Sequence, residues 1–158
     1  MEYWNTYETK IGTLIIVENE NRISRIETVK TNIEYTKGKK VETKLIKKAY
    51  EQISEYLEGK RKEFTLPLLI KGTKFQEKVW NALLQIPYGE TRTYGEIAKQ
   101  IGNEKASRAV GGANHNNKVM IVVPCHRVIG SNKKLVGYVG GLDIKETLLK
   151  LEQQNKYI

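Results

Sequence analysis

The chain has 158 residues, 39% of them hydrophobic and 28% charged, with a formal net charge of +9. That length suits one ordinary domain, or one domain with a small partner. The composition excludes a disordered tail, and no apolar run nears the ~20 residues that a membrane span needs. The single cysteine excludes an internal disulfide, and one cysteine with two histidines excludes a Cys-rich zinc site.

The opening MEYWNTYETK carries Glu2 and has no apolar core, so no signal peptide is expected. With one unpaired cysteine this predicts a cytoplasmic protein. Tyr3, Trp4 and Tyr7 suggest a first strand, and Gly12 to Glu18 (GTLIIVE) a second. Asn19 to Asn21 reads as a turn, and Ile23 to Val29 as the other arm of a hairpin. Ile46, Ala49, Tyr50, Ile53 and Leu57 recur at helical spacing, and Gly59 follows as a stop signal. Nothing in this stretch has catalytic spacing. Residues 1–72, ending in a Pro67-containing connector, are therefore expected to form a structural α/β lobe.

From residue 73 the pattern becomes helical. Thr73 and Gln76 have capping-box spacing, Phe75, Val79, Trp80, Leu83 and Leu84 form one apolar face, and Pro87 ends the helix. Thr93 to Ile101 predicts a short amphipathic helix that stops at Gly102. Asn103 is read as the N-cap of a second helix over Glu104 to Ala113. On that helix Ala106, Val110 and Ala113 line one face, while Lys105, Arg108, Ala109 and Gly112 fall on another. Two cations and two very small residues suit close approach to a phosphate backbone. The pair reads either as a helix-turn-helix or as a plain helical hairpin with a solvated basic face. Charge favours the first reading, since residues 73–134 carry ten basic and four acidic side chains against fourteen and eleven in residues 1–72.

Val119 to Val123 (VMIVV) predicts a buried strand that runs into Pro124-Cys125-His126-Arg127-Val128. Leu142 to Glu146 opens a last helix, with Asp143 read as its N-cap, Glu146 as N3, and Ile144, Leu148 and Leu151 on its apolar face. A lone cysteine is commonly a small core hydrophobe. Cys125 is also a candidate nucleophile, because a base or cation beside it lowers a thiol pKa of ~8.5. His126, with an orienting carboxylate, would supply that base if the strand end folds its ring back.

Four segments resemble the O6-alkylguanine-DNA alkyltransferases: IPYGETRTYGEIA (86–98), SRAVGGANHNN (107–117), VPCHRVIG (123–130) and LVGYVGGLDIKETLLKLE (135–152). They follow the family's order and spacing over residues 73–152. Residues 1–72 match only in lay-out. The resemblance implies an α+β fold. A small sheet-plus-helix lobe (1–72) would precede a mainly helical domain (73–158) with a winged helix-turn-helix for DNA binding and alkyl transfer.

The implied activity is that of a methylated-DNA–protein-cysteine S-methyltransferase. It would flip O6-alkylguanine, and O4-alkylthymine, out of duplex DNA and move the alkyl group irreversibly to Cys125, once per molecule. His126 aligns with the histidine that deprotonates the cysteine through a water, and Glu152 with the glutamate that orients that histidine. Asn117 aligns with the asparagine that steadies the active-site turn. Tyr94 aligns with the tyrosine that helps rotate the nucleotide and donates toward guanine N3. Arg108 aligns with the arginine that fills the space of the flipped base, on the face with Lys105, Ala109 and Gly112. Gly137, Tyr138 and Val139 align with the wall of the base pocket, where the Val139 N–H would meet O6. The carbonyls of Val128 and Cys125 would accept from the guanine amino group. Some relatives hold zinc in the first lobe, but residues 1–72 contain no Cys or His. Neither metal nor cofactor is expected, and the partner would be double-stranded DNA bound by a monomer. Two other readings compete: a non-catalytic alkyltransferase-like lesion sensor, and a cysteine hydrolase, which lacks an evident oxyanion device.

Overall fold

The computed structural model describes residues 1–29, 35, 37–132, 138 and 141–158. The chain divides into two compact units, Met1–Ile70 and Lys71–Ile158.

The first unit is a sheet with one helix. Strands β1 (Glu2–Thr9), β2 (Gly12–Asn19), β3 (Arg22–Thr28) and β4 (Lys39–Lys40) lie in the order β3-β2-β1-β4. The hairpins β1–β2 and β2–β3 are antiparallel, and β4 joins β1 in parallel. The central run Leu14-Ile15-Ile16-Val17 is buried along its whole length because both faces of β2 are covered. Ile15 and Val17 pack with Trp4, Val29 and Tyr35. Leu14 and Ile16 point to the other side, where helix α1 (Lys44–Leu57) lays Ile46, Ala49, Ile53, Tyr56 and Leu57. The connector is more than a linker. Ile23 N–H donates to Pro67 O at 2.8 Å and Leu69 N–H to Ile23 O at 2.9 Å, a short parallel bridge on the outer edge of β3.

The second unit is mainly helical. Helix α2 (Lys74–Leu83) starts at the Thr73–Gln76 capping box, with both reciprocal bonds formed. A second capping box, Thr93 with Glu96, opens α3 (Tyr94–Gln100) directly after β5 (Arg92–Thr93). Helix α4 (Ser107–His115) follows a six-residue turn, so α3 and α4 form the helix-turn-helix of an α+β chain. Strand β6 (Val128–Ile129) pairs in parallel with β5, and α5 (Leu142–Asn155) closes the unit. Val79, Trp80, Leu83, Ile97, Val110, Ala113 and Leu148 build its core. Trp80 locks α2 to α4 by donating Nε1–H to Ala113 O at 2.8 Å.

Several local expectations are overturned. Asn103 does not cap α4. It donates its N–H to Ala98 O, closing the end of α3, and α4 begins four residues later at Ser107 with no side-chain cap. Lys105 consequently sits in the turn before α4 rather than on it. Asp143 is inside the first turn of α5, whose N-cap is Gly141 at φ +98°. The apolar run 119–123 is buried but is no strand. Val122 N–H donates back to Met120 O at 2.9 Å, a γ-turn about Ile121 at φ +74°. A β-branched residue there is strained by roughly 1–3 kcal/mol, a cost found chiefly at functional loops. A continuous apolar run signals burial, and strand is only the commonest way to bury one.

Trp80→Phe keeps most of the packing between α2 and α4 but leaves the buried carbonyl of Ala113 unsatisfied, which costs about 1–3 kcal/mol. The expected result is a lower denaturant midpoint with an unchanged m-value, measured by equilibrium unfolding.

Candidate active site

The γ-turn hands the chain to a second tight turn. Cys125 N–H donates to Val123 O at 2.7 Å across Pro124, and Cys125–Arg127 then make one 3₁₀ turn. This turn lets consecutive residues face different partners. Cys125, His126 and Arg127 are all buried, with the thiol and the imidazole fully inaccessible.

Asn117 holds the loop around the thiol. Its Oδ1 accepts from Val119 N–H at 3.0 Å, which fixes the orientation of the amide. Its Nδ2 then donates to Val123 O at 2.9 Å and faces Cys125 Sγ at 3.1 Å. Asn114, on the buried side of α4, donates Nδ2–H to Cys125 O at 3.3 Å and hydrogen-bonds to Tyr94. The carbonyl expected to meet a guanine amino group thus already has one donor.

His126 faces the opposite way, toward α5. Its Nε2 lies 2.6 Å from Glu152 Oε2. Glu152 is 1% exposed and every oxygen it has is engaged. Oε1 accepts from Gly89 N–H at 3.0 Å and from Arg127 Nε at 2.8 Å, and Oε2 accepts from Arg127 Nη2 at 3.0 Å. Gly89 sits at φ +79°, and a Cβ there would come within 2.8 Å of Lys156 Cγ, so the turn of the IPYGE segment needs glycine to reach Glu152. Arg127 completes its contacts by donating Nη1–H to Ile86 O at 2.7 Å and lies 5.7 Å from the centre of the Tyr88 ring.

Burial pushes the Cys125 thiol up to about 11, against opposing pulls from Asn117, the Lys145 ammonium and Tyr138. Burial thus favours the neutral thiol at rest, so the lowering by a neighbouring base or cation that the sequence suggested does not prevail. Burial likewise holds His126 below the ordinary imidazole range, opposed by its bond to Glu152. Burial would raise Glu152, but His126 and Arg127 together bring it down to about 2. Tyr94 is half-buried and raised by burial and by the charge of a Cys125 thiolate, which puts it on the sulfur's side of the site.

Two residues with no assigned part stand inside the site. Arg127 was read only as a member of the motif, and Lys145 only as a helix residue. Lys145 is fully inaccessible, donates Nζ–H to Val128 O at 2.6 Å, and is lowered to about 8 by burial, with Cys125 opposing. The one available signal was spacing: Lys145, Leu148 and Glu152 share a helix stripe at i, i+3 and i+7.

The structure thus brings Cys125, His126, Asn117, Glu152, Tyr94, Val128 and Tyr138 into one neighbourhood. Arg108, Ala109 and Gly112 occupy the exposed face of α4, and Lys105 is exposed in the turn before it. Gly137 and Val139 lie outside the described residues. Among the described residues no group of three or more His, Cys, Asp or Glu is placed to hold a metal ion, and no helix is long and apolar enough to cross a membrane.

Two family models match the chain. One, described as 6-O-methylguanine DNA methyltransferase, DNA binding domain, covers residues 74–154; the other, the ribonuclease-like domain of the same proteins, covers residues 2–70. The methylated-DNA–protein-cysteine methyltransferase of Methanosarcina acetivorans is 50% identical over 95% of this chain and 97% of its own. The constitutive methylated-DNA–protein-cysteine methyltransferase of Bacillus subtilis is 48% identical over 97% and 96%. In structure, Mycobacterium tuberculosis OGT in complex with DNA superposes with a TM-score of 0.89, at 41% identity over 97% of this chain and 94% of that one.

A raised thiol reacts through its scarce anion. Alkylation of Cys125 by iodoacetamide should be slow at pH 7 and climb steadily with pH toward about 11. Rates followed by intact mass across pH 6–11 check this, and a plateau already reached by pH 8–9 would contradict it.

Proposed function

The chain belongs to the 6-O-methylguanine DNA methyltransferase family, and on that footing we propose that it repairs DNA by moving the alkyl group of O6-alkylguanine to Cys125, once per molecule. The observation that carries this reading is the buried chain Cys125, His126, Glu152 set behind a DNA-binding helix pair.

The chemistry follows from the parts. His126 gives Nε2 to Glu152, so a proton leaving Sγ is taken, through a bridging water, at Nδ1. The thiolate then attacks the alkyl carbon in line. The S–C bond forms as the C–O6 bond breaks, and the electron pair stays with O6. Guanine takes up the proton, so that thiol and O6-alkylguanine become thioether and guanine. Hydrogen bonding to the base, with Tyr94 donating toward N3, makes guanine a better leaving group. The thioether is stable and no nearby group is suited to cleave it, so the protein is consumed.

A damaged base inside a duplex cannot reach a buried thiol and must be flipped out, at a cost of a few kcal/mol. The exposed face of Arg108, Ala109 and Gly112 fits this task. Nothing lies within 4 Å of a Cβ added at Gly112, so the helix surface is low there and presses closely on a groove. Lys105 adds a phosphate contact. O4-alkylthymine carries the same alkyl-oxygen leaving group and is a second substrate on this chemistry. One described unit, Lys71–Ile158, holds both the helix pair and the cysteine, and residues 1–72 serve as a structural lobe.

Intact mass before and after mixing with a duplex containing O6-methylguanine, in EDTA, tests the transfer. One methyl per protein on Cys125 is expected, and turnover or label on another residue would reject the reading. Cys125→Ala should bind the duplex and accept nothing.

Arg108 has its own test. Arg108→Ala should slow transfer from duplex DNA markedly but change reaction with the free base O6-benzylguanine far less, because no base needs flipping. Arg108→Lys should recover only part, since an ammonium keeps the charge but not the stacking plane. Equal slowing on both substrates in single-turnover experiments would assign Arg108 to the fold instead.

A further inference from the structure

We propose that Arg127 is a positioning residue for the proton relay: by gripping both oxygens of Glu152 it fixes that carboxylate as an acceptor for Nε2–H of His126, leaving Nδ1 to take the thiol proton.

The geometry argues this from three contacts. Arg127 uses Nε and Nη2 as a fork on the carboxylate, at 2.8 and 3.0 Å, while Nη1 is tied to Ile86 O at 2.7 Å. A guanidinium presents such a fork rigidly and a lysine cannot. The grip fills the side of Glu152 away from the imidazole, with Gly89 N–H closing the remainder. His126 Nε2 meets Oε2 beside the Arg127 bond, at 2.6 Å. A carboxylate held in this way remains an anion and is a poor base. The imidazole therefore keeps its proton on Nε2 and presents the lone pair of Nδ1.

Arg127 also sets how basic that lone pair is. The charged and titratable groups around His126 are Arg127 and Cys125 on its own turn, Glu152 and Lys145 on α5, and Tyr88 on the turn after α2. Burial does most to favour the neutral ring, Glu152 pulls His126 toward the protonated form, and Arg127 and Lys145 oppose that pull. A carboxylate without its arginine would act on the ring undiminished. That pull would move His126 toward the protonated form, in which it cannot accept a proton from sulfur. Arg127 thus favours the neutral ring, with its lone pair on Nδ1. In the reaction the proton moves from Sγ to Nδ1 and passes to guanine when the C–O6 bond breaks, while Arg127 and Glu152 neither gain nor lose one.

The inference rests on Cys125 being the alkyl acceptor, and its test is separable from that reading because the imidazole is observed without DNA. The chain has two histidines, so exposed His115 serves as an internal reference. In wild-type protein, side-chain 15N spectra at pH 7 should show His126 neutral and protonated on Nε2. Arg127→Gln should raise the His126 midpoint by about one pH unit or more, a tenfold gain in proton affinity. The acid limb of the single-turnover rate with an O6-methylguanine duplex should move up by the same interval. Above the new midpoint the rate should return to within a few-fold of wild type. Arg127→Lys should restore part of the midpoint, since the charge survives without the fork. A wild-type His126 protonated on Nδ1, or a His126 midpoint and rate profile that stay in place in Arg127→Gln and Arg127→Lys while the rate falls at every pH, would reduce Arg127 to a structural residue. Should Arg127→Gln fail to fold, the wild-type tautomer and the Arg127→Lys profile decide the question alone. No methyl transfer by wild-type protein would sink the functional reading and leave the tautomer result standing.

Discussion

The carboxylate of Glu152 is the interaction on which the site depends. It is buried, ionised, and met by donors from Gly89, His126 and Arg127. Removing a carboxylate from water costs several kcal/mol, and only a full set of hydrogen bonds and a counter-charge offset that. The donors come from two places, Gly89 from the turn after α2 and His126 and Arg127 from the 3₁₀ turn, and Arg127 also donates to the carbonyl of Ile86. Satisfying one charge therefore fixes the mutual positions of α2, α5 and the cysteine turn. Gln153 adds a second bond to the same turn, donating Nε2–H to Gly89 O at 2.8 Å. The network that orients the histidine is also part of what holds the unit together.

Burial has the opposite consequence for sulfur. A thiol deep in the unit resists ionisation, so it is protected from small electrophiles and from oxidation, which act on the thiolate. That protection conflicts with nucleophilicity unless a base sits close by. Asn117 lowers the barrier a little by directing an amide N–H at Sγ. It cannot do so without the strained γ-turn at Ile121, which wraps Val119 and Val123 around its side chain.

Much of this was legible in the sequence and some was not, for identifiable reasons. The β2–β3 hairpin, a strand before it, α1 and the Thr73 capping box followed from periodicity and cap chemistry, which are local. On α2, Val79, Trp80 and Leu83 are buried as read, but Leu84 caps the helix and is exposed; on α4, Val110 and Ala113 are buried as read, and Ala106 is the N-cap. The run VMIVV is buried, as its composition implies, but it folds as a turn wrapped around Asn117 rather than as a strand of a sheet. Asn103 and Asp143 have the right chemistry for caps. Asn103 instead closes the end of α3, and α5 starts two residues earlier than a cap at Asp143 requires. Arg127 and Lys145 were invisible as site residues because charged side chains are expected at the surface. Only the three-dimensional placement of Glu152, Val128 and Cys125 shows why these two are inside.

Helix α5 then explains how one proton can be moved in so dry a place. Passing it from Cys125 to His126 creates two charges, a thiolate and an imidazolium, where none stood before. In a low-dielectric interior that separation is expensive unless opposite charges are already in position. The buried stripe of α5 carries both. Lys145 stands toward Cys125 and Val128, and Glu152, two turns on, stands against His126. Leu148, buried on the same stripe, lies between them in sequence. Each end of the stripe thus offers the developing charge its counter-ion, already in position before the proton moves. On the proposed mechanism the motif PCHRV supplies the reacting atoms, and a lysine and a glutamate seven residues apart on another helix supply the counter-charges.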